Sequence, residues 1–158
     1  MSRVFALVLA IVFGSVCSPG QQRQVPFSVV IRAPENEIKS GSDIVVDVTI
    51  TNTSDSAIGL EVMEISPYVA IVREANGLLA PETELGRKLK QRQRDRIDPN
   101  WAGSRIGSGL QPGESVHAKC IVSERYDMNA PGRYSIQVER LWGRSAVPSN
   151  TVNVTVIP

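Results

Sequence analysis

Hydrophobic and polar residues alternate along much of this chain. Ile44, Val46, Val48 and Ile50 interleave with Val45, Asp47, Thr49 and Thr51. That is period two over eight residues, the pattern of a half-buried β-strand. In RYSIQVERLW, Tyr134, Ile136 and Val138 take one side and Ser135, Gln137 and Glu139 the other. TVNVTVIP places Val152, Val154 and Val156 inward, and PFSVVIRA places Val29 and Ile31 together. In LQPGESVHAKCIV, Pro112-Gly113 makes a turn. After it, Val116, Ala118, Cys120 and Val122 share one face, while His117, Lys119 and Ile121 share the other. IGLEVM is a weaker strand. YVAIVREANGLLAP predicts a hairpin with a type I′ turn at Asn76-Gly77 and a short return strand stopped by Pro81. GSRIGSG and GRSAVPSN read as loops, and SERYDMNAPG as a crossing turn. About seven short strands separated by turn signals predict an all-β fold, an antiparallel β-sandwich.

The stretch from Glu82 to Gly109 breaks the pattern and reads as a long insertion, irregular or partly helical. A helix over Glu82–Ile97 would put Glu82 and Glu84 at its start and the cations later, as the helix dipole favours. Leu85, Leu89 and Ile97 would form a thin apolar stripe. Gly86 opposes that helix by about 1 kcal/mol.

One corner narrows the fold to an immunoglobulin-like sandwich. Asp127 precedes Pro131-Gly132-Arg133-Tyr134, and Tyr134 opens the penultimate strand. A tyrosine there can bury its ring at a sandwich corner and return its hydroxyl to the backbone upstream. Ile136 stands two residues on, where antibody domains carry a cysteine. Aliphatic packing therefore replaces the disulfide between sheets.

The series ANGLLAPETELGRKL, LQPGES, SERYDMNAPGRYSIQVER and SNTVNVTV resembles the secreted immunoglobulin-like domains of environmental bacteria. The likeness runs from about Ile44 to Val156 and rests on turn, corner and core-strand motifs. It implies an adhesion, carbohydrate-associated or accessory module. LQPGES and the strand after it bear a weaker likeness to small bacterial β-sandwich proteinase inhibitors. Neither resemblance supplies catalytic residues.

The N-terminus adds a compartment. Arg3 is followed by VFALVLAIVF and then by Gly14, Ser15, Ser18, Pro19 and Gly20. A positive end, a short apolar core and a small-residue exit predict a secretory signal peptide over residues 1–20. The domain then occupies residues 21–158. The apolar run falls short of the roughly 20 residues that span a bilayer, and no other segment reads as transmembrane. A lipid anchor at Cys17 is disfavoured, because Val16 stands where a lipobox needs Gly, Ala or Ser. The expected location is secreted or periplasmic. Loss of Arg3 leaves 16 basic residues against 16 acids, so no global field recruits polyanions. Once Cys17 is removed, Cys120 is alone and stability must come from packing.

Most catalytic chemistry finds no support. His117 is the only histidine and has no partners at metal-ligand spacing. Cys120 lies three positions on, hence on the opposite face of a strand, and reads as a small core residue. There is no Gly-x-Ser-x-Gly elbow. Gly107-Ser108-Gly109 lacks the context of a phosphate loop. Asp43, Asp47, Asp55, Glu61 and Glu64 read as solvated faces. Asn52-Thr53-Ser54 and Asn153-Val154-Thr155 match a glycosylation sequon at the level chance would supply. The sequence thus predicts no enzyme, no cofactor and no metal.

The basic run RKLKQRQRDR remains. It holds six basic residues and one acid, against 10 basic residues and 15 acids in the rest of the mature chain. Nucleic acid is a poor partner for an exported chain, and the run lacks interleaved aromatics to stack bases. Arg87, Lys88, Lys90, Arg92, Arg94 and Arg96 are the candidate contact residues, with Trp101 and Trp142 as candidate anchors. An acidic protein, an anionic polysaccharide or a membrane surface would suit them. The competing function is an extracytoplasmic proteinase inhibitor using a protruding loop, Glu82–Ser108 or Leu141–Asn150. Intact-mass measurement of the exported product should show loss of about the first 20 residues; an uncut chain retained in the cytoplasm would exclude the leader reading.

Overall fold

The alternating stretches do form strands. A computed structural model describes residues 25–61, 68–96, 107–142 and 145–158. In β1 (Phe27–Arg32), Phe27, Val29 and Ile31 are buried. In β3 (Val45–Asn52), Val46, Val48 and Ile50 are buried, and Ile44 just before it joins them. With β7 (Ser115–Ile121) these make a sheet of order β1-β3-β7, antiparallel throughout. The second sheet contains β2 (Glu37–Lys39), β5 (Tyr68–Glu74), β8 (Gly132–Trp142) and β9 (Ser145–Ile157), in the order β2-β9-β8-β5. Its apolar rows, Tyr68, Ala70 and Val72 on β5 and Tyr134, Ile136 and Val138 on β8, face the first sheet's row. The N-terminal strand is divided between the sheets. β1 lies in one, whereas β2 joins the other and runs parallel to the last strand. The result is an immunoglobulin-like sandwich with a continuous aliphatic core.

Two short strands, β4 (Ile58–Glu61) and β6 (Gly107–Leu110), prolong the β3–β7 pairing past a break. Asn52 is the joint. It is 1% exposed, yet all its polar groups are used. Its backbone N–H donates to Glu114 O and its carbonyl accepts from Gly113 N–H, each at 3.0 Å. Its side-chain Nδ2 donates to Ser56 O and Leu110 O, both at 2.8 Å. Its Oδ1 accepts from Ser54 N–H and Ser54 Oγ. A sequon asparagine with its amide so engaged offers no acceptor for a glycan.

Tyr134 makes the corner bond. Its ring is buried and its hydroxyl donates to Ala130 O at 2.8 Å. Burial pushes its phenol above the usual range. Cys120 is buried, and desolvation pushes its thiol up likewise, so it behaves as a core residue.

Several local expectations are corrected. Asn76 does not adopt positive φ; Gly77 does, at 82°. Gly77 N–H bonds to Glu74 O and Glu74 N–H to Leu78 O. This is a three-residue loop with a glycine bulge rather than a type I′ turn, and its return strand shrinks to a single bridge, Arg73–Leu79. Part of GSRIGSG is not loop: Gly109 pairs with Gly59 in the β4–β6 ladder, which needs backbone groups only. GRSAVPSN is strand from Ser145 onward. Gln137 pairs with Thr151 but Glu139 pairs with Pro148, so Ser149 and Asn150 together oppose Val138. This β-bulge accommodates the proline. It also turns Asn150 toward β1, where its amide accepts from Ile31 N–H at 2.8 Å and donates to Ile31 O at 3.0 Å. Val116 keeps its inward parity but is 40% exposed, because β7 is an edge strand.

Asn52→Ala should destabilise the domain by about 1–3 kcal/mol, since it strands the buried carbonyl of Leu110. Urea unfolding of both proteins measures this; a loss below about 0.5 kcal/mol would show that the joint is not structural.

Candidate functional site

The basic run folds as helix α1 (Glu84–Arg96), so the helical alternative holds, two residues later than its expected start. Thr83 caps it. Gly86 N–H donates to Thr83 Oγ1 at 3.0 Å, and Arg87 N–H donates to Thr83 O at 3.1 Å. Thr83 is in turn fastened to the crossing segment after β7: its N–H donates to Arg125 O, and its hydroxyl to Glu124 O. Gly86 explains the rest of the seat. A Cβ there would lie 2.1 Å from Arg125 O. The residue that sequence propensity counts against a helix is therefore the one that lets the helix touch the sandwich.

That contact fixes which sides of α1 face water. Positions 87, 90 and 94 form one row at helical spacing, and 88, 92 and 96 another. Arg87, Lys88, Lys90 and Arg92 are exposed. Arg87 Nη1 donates to Glu82 O at 2.8 Å. Lys88 pairs with Glu84 at 2.7 Å, and Lys90 with Glu82 at 2.5 Å. Exposed pairs of this kind contribute roughly 0–1 kcal/mol and separate readily when a stronger anion arrives. Arg94 and Arg96 lie in the last turns of the helix, where cations suit the dipole. Leu85 is 45% exposed and Leu89 is half-buried, so the expected apolar stripe is thin. Ile97 and Trp101 fall outside the described residues. Trp142 ends β8, half-buried, with its ring edge-on to Phe27 at 5.3 Å and 78°. It is thus partly buried against its own domain.

A polar pocket of about 360 Å³ opens beside the helix start. Ser42, Thr83 and Ser123 supply hydroxyls to it, and Glu82 and Asp127 supply carboxylates. Those carboxylates already have partners: Lys90 on Glu82, and the Asn129 N–H and Nδ2 on Asp127. Among the described residues, no three His, Cys, Asp or Glu side chains cluster to hold a metal. His117 is exposed and shares a hydrogen bond with Thr49 Oγ1, while Cys120 points into the core. No helix among them is long and apolar enough to cross a membrane.

Two buried arginines escaped the sequence reading. Arg140 is 4% exposed and lies over the Tyr68 ring at 5.4 Å. It continues the inward row of Ile136 and Val138, so strict alternation could have flagged it. Arg125 is 9% exposed and donates to Tyr68 O; nothing in its turn-like surroundings signals this. Burial pushes the Tyr68 phenol up, against the pull of Arg140.

No protein-family model matches the chain, and no curated protein matches it. Solved structures do. The CARDB domain of a Pyrococcus furiosus protein, in solution, is 14% identical with a TM-score of 0.43, over 84% of this chain and 94% of that one. Its crystal structure with di-metal ions gives 14%, 0.41, 83% and 87%. CARDB domains are an immunoglobulin-like β-sandwich family. A β-glucosidase from Erythrobacter marinus gives 14% and 0.42, over 83% of this chain but 15% of the enzyme.

Gly86→Ala should lower stability by about 1–3 kcal/mol through overpacking, despite the better helix propensity of alanine. Hydrogen exchange of the α1 amides and thermal melting read this together. Unchanged protection in α1 would show that the helix does not depend on the Arg125 contact.

Proposed function

We propose that this chain is an exported, non-catalytic binding or adhesion module, and that the basic rows of α1 are its contact surface. One observation carries the reading. Arg87, Lys88, Lys90 and Arg92 are exposed on a helix whose other side is held to the sandwich through Thr83 and Gly86. The formal charge of Glu84–Arg96 is +4, from six basic residues and two acids. A rigid seat lowers the entropic cost of presenting such charges. The chemistry fits an acidic protein or an anionic polysaccharide outside the cytoplasm. The inhibitor reading asks for an extended loop entering a protease cleft. Of its two candidate segments, the described part of Glu82–Ser108 is mainly helix and that of Leu141–Asn150 is paired strand, which lends it no support.

Changing Arg87, Lys88, Lys90, Arg92, Arg94 and Arg96 to Gln should leave the melting temperature nearly unchanged, because exposed charges add little stability. Retention on immobilised sulfated polysaccharide, and capture of acidic proteins from the extracytoplasmic fraction, should both fall in the variant. Parent binding should also weaken as salt rises, since screening cuts the reach of charge to about 8 Å at physiological ionic strength. Equal binding by parent and variant at every salt concentration would retire the proposal.

A further inference from the structure

Side chains and turns occupy several outward backbone groups along the strand edges of the sandwich. On β5, carbonyls that point away from β8 are each occupied: Tyr68 O by Arg125 Nη1, Ala70 O by Tyr126 Oη, and Val72 O by Ala80 N–H. On β1, Asn150 takes both backbone groups of Ile31. β2 has three residues, and β4 and β6 have four each, which offers little to an incoming strand.

β7 is different. The flanking bonds Val122 N–H to Ile44 O and Asn52 N–H to Glu114 O set the parity of the β3–β7 ladder. Val116, Ala118 and Cys120 therefore direct their backbone groups to β3. Ser115, His117 and Lys119 direct theirs outward, and among the described residues these groups have no backbone partner. Ser115, Val116, His117 and Lys119 are all exposed. Val116, although inward by parity, is 40% exposed beside this open ladder.

We propose that β7 pairs with β7 of a second copy of this chain, antiparallel about a two-fold axis at His117. The occupant must bring an extended edge of its own, and β7 offers one at the outer side of its sheet. The pairing is self-complementary. His117 faces His117 of the second copy, and Ser115 faces its Lys119, so no two lysines meet. On the inner side Val116 faces Ala118, which covers apolar surface that a lone domain leaves wet. About six backbone hydrogen bonds form in this register, and the two three-stranded sheets become one. Strand pairing alone covers less than the roughly 1,000 Å² of a stable interface, so the dimer is weak and concentration-dependent. The inference is independent of the role given to α1 and places the association on a different surface.

Sedimentation equilibrium of the full chain should move from monomer mass at about 1 µM toward twice that mass at about 1 mM, the range expected of a small interface. His117→Pro removes an outward N–H without touching the β3 ladder and should abolish the shift. If that variant fails to fold, Val116→Lys places a charge at the same seam and should do the same. Register is read separately. Paired residues sit about 5.5 Å apart between Cα atoms, within disulfide reach. His117→Cys should therefore cross-link under mild oxidation at least about tenfold faster than Lys119→Cys, which faces serine. Monomer mass at every concentration, a dimer that survives both substitutions, or equal cross-linking rates would each overturn the proposal.

Discussion

The buried amide of Asn52 holds together two ladders that would otherwise part. The chain must leave the β3–β7 pairing at a turn on each strand and resume it as β4 and β6. Turns expose backbone groups, and here they do so next to the core. One side chain answers this by donating twice and accepting twice, to Ser54, Ser56 and Leu110. Leucine or valine would satisfy the core but strand the Leu110 carbonyl, whereas serine is too short to reach both turns.

The segment after β7 has a comparable double role. Arg125 and Tyr126 reach back to seal the β5 edge. The same stretch offers Glu124 O and Arg125 O to Thr83, and approaches Gly86 closely. Protecting a sheet edge and seating a basic helix are thus one structural act. The segment that meets the β5 edge also seats α1, and Arg87, Lys88, Lys90 and Arg92 remain exposed on the seated helix.

Much of this was legible in the sequence, for a physical reason. Period-two burial at Ile44–Ile50 and Tyr134–Val138 is a local property, read from neighbours alone. Tyr134 was legible because its partner Ala130 is four residues away. What the sequence concealed is long-range. Asn150 meets Ile31 across 119 positions, and Arg125 meets Tyr68 across 57. Gly86 was misread for the same reason, since its value lies in a contact with Arg125 that propensity cannot contain. The basic rows of the candidate surface were visible as composition; their arrangement on a capped helix was not. The packing partner of Trp142, Phe27, is likewise remote in sequence.

The contacts between the first described strands and the last bear on the order of assembly. β1 and β2 are the first described strands, yet β2 finds its ladder in β9, and the outer groups of Ile31 are satisfied by Asn150. A ribosome releasing this chain in order would let β1 pair with β3 early but leave β2 without its ladder until β9 emerged. Such high contact order slows folding into the millisecond-to-second range. The second sheet cannot close early, because both β2 and β8 pair with its last strand.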